Sequence, residues 1–101
     1  RVRAALARAA ETAPADDLAA LAARLATDPD DHAARFELAG GQMAAGDRDG
    51  AADSLLEIIH RDREWNDGAA RQRLLKMLDA AGFDDPWAAA QRRKLSVILF
   101  S

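Results

Sequence analysis

Histidine and hydroxyl side chains are the residues of this 101-residue chain that could carry out nucleophilic catalysis. The sequence has two histidines, His32 and His60, and no cysteine. A hydroxyl nucleophile needs a neighbouring base and a sharp turn that exposes it, as in the GxSxG motif. No such motif surrounds the hydroxyl residues, which are Thr12, Thr27, Ser54, Ser96 and Ser101. We therefore expect no catalytic residue in this chain and no enzymatic activity.

An acidic cluster, Asp28, Asp30 and Asp31, invites comparison with a calcium-binding loop. An EF-hand loop that starts at Asp28 needs glycine at its sixth position and glutamate at its twelfth, but Ala33 and Ala39 stand there. The two histidines lie 28 residues apart and share no metal-binding motif. We therefore expect neither a metal site nor a cofactor, and we interpret the aspartates as helix-capping residues.

The elements around these residues are predicted to be helices with clear start and stop signals. Asp28 is predicted to cap a helix that Pro29 opens, and Asp85 a helix that Pro86 opens. The reason is that a carboxylate at the N-cap accepts backbone N–H groups and that proline suits the first helical position. Two helix ends are predicted by glycines that suit a left-handed C-terminal position, Gly46 and Gly82.

Apolar residues recur with a helical period between these signals. The predicted core-facing stripes are Phe36, Ala39, Gly40 and Met43; Ala51, Leu55, Ile58 and Ile59; Ala70, Leu74, Met77, Leu78 and Ala81; and Trp87, Gln91, Leu95, Ile98 and Leu99. Two further Ala-rich helices are predicted upstream, over residues 2–12 and 16–27. About a quarter of the residues are Ala, the strongest helix former. The sequence therefore predicts an all-α fold of about six helices, with short loops that favour antiparallel hairpins.

Residues 32–65 and 68–101 are each 34 residues long, which is the period of the tetratricopeptide repeat. The first unit departs from the repeat pattern at Gln42, where an aromatic residue is usual. The second departs at Trp87, where a small residue is usual, and terminal repeats are often atypical. We predict one tetratricopeptide-like domain of stacked helical hairpins over residues 1–101.

Three stretches of the sequence carry a more specific resemblance. They are "DPDDHAARFELA", "DGAADSLLEIIHRDREWNDGAARQRLLKML" and "RRKLSVILFS", and they resemble the C-terminal domain of the chaperedoxins, a family of thioredoxin-like co-chaperones. The resemblance covers residues 16–101 and implies a thioredoxin-like domain upstream. It also implies a role in holding unfolded or oxidant-damaged clients and passing them to a chaperonin. Because the chain begins at Arg1 and not at Met, we expect it to be part of a longer protein.

Trp65 lies in "RDREWND", in the connection between two predicted helices. An indole at this position can cover the seam between repeat units, because it combines a large apolar surface with one polar N–H group. We favour this packing role over a role in ligand binding.

A basic cluster precedes an apolar stretch near the C-terminus. Arg92, Arg93 and Lys94 are followed by "SVILF", which includes Leu99 and Phe100. A solvated charged face is the alternative interpretation, but a terminal helix of a repeat array normally shows a polar outer face. We predict that these five residues form a docking surface for a chaperonin or for the client-holding machinery. Two other candidates could cover this surface: the upstream domain, or a second copy of the chain in a homodimer.

The charge distribution narrows the remaining function classes. The net charge is −3, with six basic against eleven acidic side chains over residues 1–60 and eight against six over residues 61–101. This balance argues against nucleic-acid binding and against a helix-turn-helix DNA reader. No stretch approaches the ~20 apolar residues of a membrane span, and the absence of cysteine fits the cytoplasm. The main rival to a co-chaperone role is a structural one, in which the repeats dimerise or hold the upstream domain.

Overall fold

The computed structural model describes residues 15–100, with side chains from residue 17. Five α-helices follow one another: α1 Ala15–Thr27, α2 His32–Ala44, α3 Arg48–Arg61, α4 Ala69–Ala81 and α5 Pro86–Phe100. A short 3-10 helix, Trp65–Gly68, precedes α4. No strand occurs among the described residues, so the predicted all-α class is confirmed. The helix predicted over residues 2–12 lies outside the described residues.

The chain divides into two compact units, residues 1–54 and residues 55–101. The boundary between them falls inside α3, between Ser54 and Leu55. The first unit therefore contains α1, α2 and the first half of α3. The second contains the rest of α3, the 3-10 helix, α4 and α5.

The core of the first unit lies between α1 and α2. Leu21 and Leu25 are four residues apart on α1, so they share one face of the helix. Both are buried together with Ala34 of α2, and Leu38 packs against this cluster while remaining partly exposed. Burial of a leucine side chain contributes about 1.5–3 kcal/mol relative to its exposure. These two leucines therefore hold α1 on α2.

The apolar face predicted for α2 is only partly correct. Ala39 is fully buried, but Phe36 and Gly40 are half-buried and Met43 is 43% exposed. The buried residues of this helix are small: Ala34, Ala39 and Gly41. Ala34 and Gly41 lie about two helical turns apart on one side of α2, whereas Ala39 lies on the predicted stripe, so the buried residues occupy two sides of the helix.

The start of α2 also differs from the prediction. Pro29 and Asp30 form a turn, and the N-cap is Asp31, whose Oδ1 accepts from the N–H of Ala34 at 3.1 Å. Asp28 Oδ1 instead accepts from the N–H of Asp30 at 3.2 Å. An aspartate that bonds the backbone two residues ahead forms a turn in place of a helix start. The prediction that Asp28 is the cap and Pro29 the first helical residue is therefore wrong.

The helix ends and most of the stripes in α3 and α4 agree with the sequence, whereas Ala81 of α4 and three stripe residues of α5, Trp87, Ile98 and Leu99, are only half-buried. Gly46 and Gly82 follow α2 and α4 with positive φ angles of 86° and 97°, as predicted. The N–H of Gly82 donates to the Leu78 carbonyl at 3.0 Å, which satisfies one of the helix's last carbonyl groups. The predicted stripe residues that are buried in α3 and α4 are Ala51, Leu55, Ile58, Ile59, Ala70, Leu74, Met77 and Leu78.

The 3-10 helix before α4 contains a left-handed run of three residues. Asn66, Asp67 and Gly68 have φ angles of 49°, 56° and 79°. Asparagine and aspartate tolerate this conformation better than other residues with a Cβ atom, and glycine adopts it freely. The residue types therefore match the left-handed backbone between α3 and α4.

Candidate protein-docking surface

Helix α5 begins where the sequence predicts. Its first residue is Pro86, and Asp85 Oδ2 accepts from the N–H of Ala88 at 3.0 Å. The side chain therefore satisfies a backbone donor that has no partner within the helix. Ala88, Gln91 and Leu95 form the buried face of α5. This face determines which residues of the helix point outward.

The side of α5 opposite the buried face carries Arg93, Val97 and Phe100, which we call the outward face of α5. The three residues are spaced by four and three positions, so they lie on one side of the helix. Val97 is 66% exposed and Phe100 is 84% exposed. Exposed large apolar side chains that lie next to one another mark sites of interaction more often than single ones do.

The five residues predicted to form the docking surface are not all brought together. Arg93 and Phe100 lie on the outward face, and Lys94 is exposed on an adjoining side of α5. Leu99 is half-buried. The sequence interpretation missed Val97, although its spacing from Arg93 and Phe100 is a helical signal.

Arg92 contacts residues of its own chain. Its guanidinium carbon lies 5.0 Å from the centre of the Phe83 ring, an arrangement that allows a cation–π interaction. Its Nη2 lies 3.5 Å from Oδ1 of Asp79 on α4. Because the Asp79 side chain is 77% exposed, this ion pair adds little stability. Arg92 therefore links α5 to α4 and to the turn between them, away from the outward face.

The charge of α5 is entirely positive. The helix contains Arg92, Arg93 and Lys94 but no aspartate or glutamate. Arg93 is exposed and makes no ion pair with a described residue. A cation next to exposed apolar side chains attracts acidic partners and raises the rate at which they associate.

The connection between α3 and α4 reaches the end of α5. Arg63 Nη1 donates a hydrogen bond to the backbone carbonyl of Leu99 at 3.1 Å. Trp65, two residues further on, begins the 3-10 helix, which packs on α4. The Trp65 side chain is half-buried. A half-buried indole is consistent with the packing role, which stays a prediction.

The two histidines lie at the ends of helices. His32 is the first residue of α2, and His60 lies exposed in the last turn of α3. Among residues 15–100 no group of three or more His, Cys, Asp or Glu side chains is placed to hold a metal ion. No helix in this part of the chain is long and apolar enough to cross a bilayer.

Residues 11–100 match the family model described as tetratricopeptide repeat. No curated protein and no solved structure matches the chain. The match covers most of the sequence and includes all five described helices, the last of which ends at Phe100.

Proposed function

Because the chain belongs to the tetratricopeptide repeat family, whose repeats generally form non-catalytic interaction modules, we propose that it binds a protein partner through the outward face of α5. The observation that carries the proposal is the exposure of Val97 and Phe100 beside Arg93 on the last helix. These side chains lie on the surface of a helix whose opposite face is buried. Their apolar area is therefore available to a partner without any rearrangement of the core.

The energetics of such a surface favour a small number of anchors. Full burial of a valine or phenylalanine side chain contributes about 1.5–3 kcal/mol. Interfaces draw most of their affinity from a few such residues, while charges at the rim mainly increase the association rate. In the proposed interface Phe100 and Val97 are the anchors, and Arg93 and Lys94 are the steering charges. Leu99 lies four residues after the buried Leu95 and therefore on the opposite side of α5 from these anchors.

We further propose that the partner is a chaperonin and that the domain belongs to a thioredoxin-like co-chaperone. The resemblance of "RDREWND", "LLKML" and "RRKLSVILFS" to the chaperedoxins supports this assignment. In this role the domain acts by contact: it holds unfolded clients or delivers them, while a thioredoxin-like domain upstream carries any redox chemistry.

A structural role is the second candidate. The same exposed Val97 and Phe100 would serve to pair two copies of the chain or to seat an upstream domain. The two functions differ in what covers the outward face of α5: a chaperonin in the first, and a second copy of the chain or an upstream domain in the second. Sedimentation velocity over a range of concentrations separates them, because a homodimer that uses this face dissociates on dilution and does so more readily when Val97 is changed.

The test introduces a charge into the middle of the outward face. Val97→Asp is expected to weaken binding of the chain to purified chaperonin more than tenfold, because a carboxylate beside Phe100 must be desolvated on docking. Phe83→Asp is the matched control, because Phe83 is 87% exposed but lies in the turn before α5. Equal affinities for the two variants would contradict the proposed surface, as would a monomeric wild-type chain that does not bind chaperonin at all.

A further inference from the structure

The last turn of α5 presents carbonyl groups that need donors from outside the helix. The final four carbonyl groups of an α-helix lack intrahelical donors, and a cation near them interacts favourably with the helix dipole. The last turn of α5 contains no basic residue. A donor from another part of the chain can therefore satisfy one of these carbonyl groups.

Arg63 supplies such a donor. It lies in the turn after α3, and its Nη1 donates to the Leu99 carbonyl at 3.1 Å across 36 residues of sequence. A guanidinium donor is charged under all ordinary conditions, so one contact provides both a hydrogen bond and a favourable charge at the negative end of the dipole. Arg63 makes no other hydrogen bond or ion pair with a described residue.

We infer that Arg63 is a positioning residue for docking, which keeps the last turn of α5 helical so that the partner binds a preformed helix. This inference rests on the proposed function. Val97 and Phe100 share one face only while residues 97–100 remain helical, since that geometry comes from the helical period. If the last turn opens, Phe100 no longer lies beside Val97. Partner affinity then falls in proportion to the fraction of molecules with an intact last turn.

Removing the Arg63 side chain is expected to have a moderate effect on partner affinity and on amide exchange at the end of α5. Arg63→Ala should weaken binding to purified chaperonin by about two- to fivefold, because an exposed charge-assisted hydrogen bond shifts a local opening equilibrium by about this factor. The amides of Ile98, Leu99 and Phe100 should exchange with deuterium faster by a similar factor. Arg63→Lys should recover part of both effects, because lysine keeps the charge but not the fixed donor geometry.

Arg61→Ala is the matched control. Arg61 lies two residues earlier and pairs with Glu57 within α3, so this variant removes the same charge from the same segment and keeps the hydrogen bond from Arg63 to the Leu99 carbonyl. It should leave both the affinity and the exchange at the end of α5 unchanged. Circular dichroism establishes that both variants are folded, which the exposure of both arginines leads us to expect.

The outcomes separate this inference from the proposed function. If Val97→Asp weakens binding but Arg63→Ala binds like Arg61→Ala, the docking surface stands and the role of Arg63 is wrong. If Arg63→Ala weakens binding without faster exchange at residues 98–100, Arg63 contacts the partner directly and the positioning role is wrong. If Val97→Asp binds like the wild type, the proposed function itself fails, and faster exchange in Arg63→Ala then supports only a role in holding the end of the helix.

Discussion

The Ser54 hydroxyl donates a hydrogen bond to Oε1 of Gln42 at 2.8 Å and joins α2 to α3 within the first unit. Gln42 stands where the tetratricopeptide repeat usually has an aromatic residue, and Ser54 is 7% exposed. A buried hydroxyl and a half-buried amide are each costly without a partner. The pair therefore explains how a polar residue is accommodated between these two helices.

Removing both partners should destabilise the chain by less than the sum of the two single removals. Ser54→Ala is expected to lower the free energy of unfolding by about 1–2 kcal/mol, because the Gln42 amide oxygen loses its donor. Gln42→Leu should cost a similar amount by leaving the hydroxyl unpaired. The double variant should be more stable than the sum of the two losses predicts, as measured by urea unfolding in a double-mutant cycle. Strict additivity would show that the hydrogen bond contributes nothing to stability.

Gly50 is expected to reject alanine although it lies in the first turn of α3. Its N–H donates to Oδ1 of the capping residue Asp47 at 2.9 Å. A Cβ atom at residue 50 would collide with the Asp47 carboxylate and would lie 2.8 Å from Nε2 of Gln42. Alanine normally stabilises a helix by about 1 kcal/mol relative to glycine. Here Gly50→Ala should instead lower the free energy of unfolding by about 1 kcal/mol, since the cap must move.

The control for this prediction is a smaller cap. Serine at residue 47 can still accept from the backbone but leaves more room than aspartate. In an Asp47→Ser background, Gly50→Ala should therefore become neutral or stabilising in thermal melts. A Gly50→Ala variant that is more stable than the wild type in the original background would contradict the steric argument.

The left-handed turn before α4 should respond in opposite directions to two substitutions. Asn66→Gly is expected to raise the free energy of unfolding by about 0.5 kcal/mol, because glycine adopts a φ of 49° without strain. Gly68→Ala should lower it by about 1–2 kcal/mol. A Cβ atom at Gly68 would meet only Arg71 Nη2 at 3.8 Å, so this loss is a backbone effect. Chemical denaturation of both variants checks the two signs, and a stabilising Gly68→Ala would contradict the assigned conformation.

The Asp31 carboxylate should make stability depend on acidic pH. The hydrogen bond from the N–H of Ala34, and then the contact with Arg24 at 2.9 Å, hold the pKa of Asp31 below its usual value of 3.8. A lowered pKa means that the ionised form is the one stabilised by folding. The contribution is therefore fully present above pH 3.8 and is lost as the pH falls through the lower pKa of the folded state.

Asp31→Asn isolates this titration, because asparagine also caps helices but does not ionise. The difference in unfolding free energy between the wild type and this variant should be constant above about pH 5 and should shrink below pH 3.8. Unfolding by urea at a series of pH values measures it. A difference that changes only near neutral pH would assign the effect to another group.

Local signals predicted most helix boundaries, but the start of α2 and its buried residues depend on tertiary contacts. Pro86 and Gly82 act through their own backbone geometry, so their neighbours in sequence suffice to place them. The start of α2 was missed because Asp28 and Asp31 both have capping side chains, and only the fold selects between them. The buried side of α2 with Ala34 and Gly41 was missed because small residues carry a weak hydrophobic signal.

The residues of the candidate surface were likewise predicted correctly where local signals decide and missed where tertiary contacts decide. The exposure of Phe100 followed from the absence of a polar outer face in "SVILF", which is a local property. The position of Arg92 could not be predicted in this way, because its contacts, Phe83 and Asp79, lie on other elements of the second unit. Charge adjacency in sequence therefore identified the helix but not which of its cations face outward.

The most direct test of the docking surface compares binding and stability in Phe100→Ala. Because Phe100 is 84% exposed, the melting temperature should change only slightly. Affinity for purified chaperonin should fall more than tenfold, which corresponds to over 1.4 kcal/mol. Phe83→Ala, at a residue that is 87% exposed, should keep wild-type affinity. A Phe100→Ala chain that unfolds, and whose refolded fraction binds chaperonin normally, would show that Phe100 belongs to the core and would contradict the account.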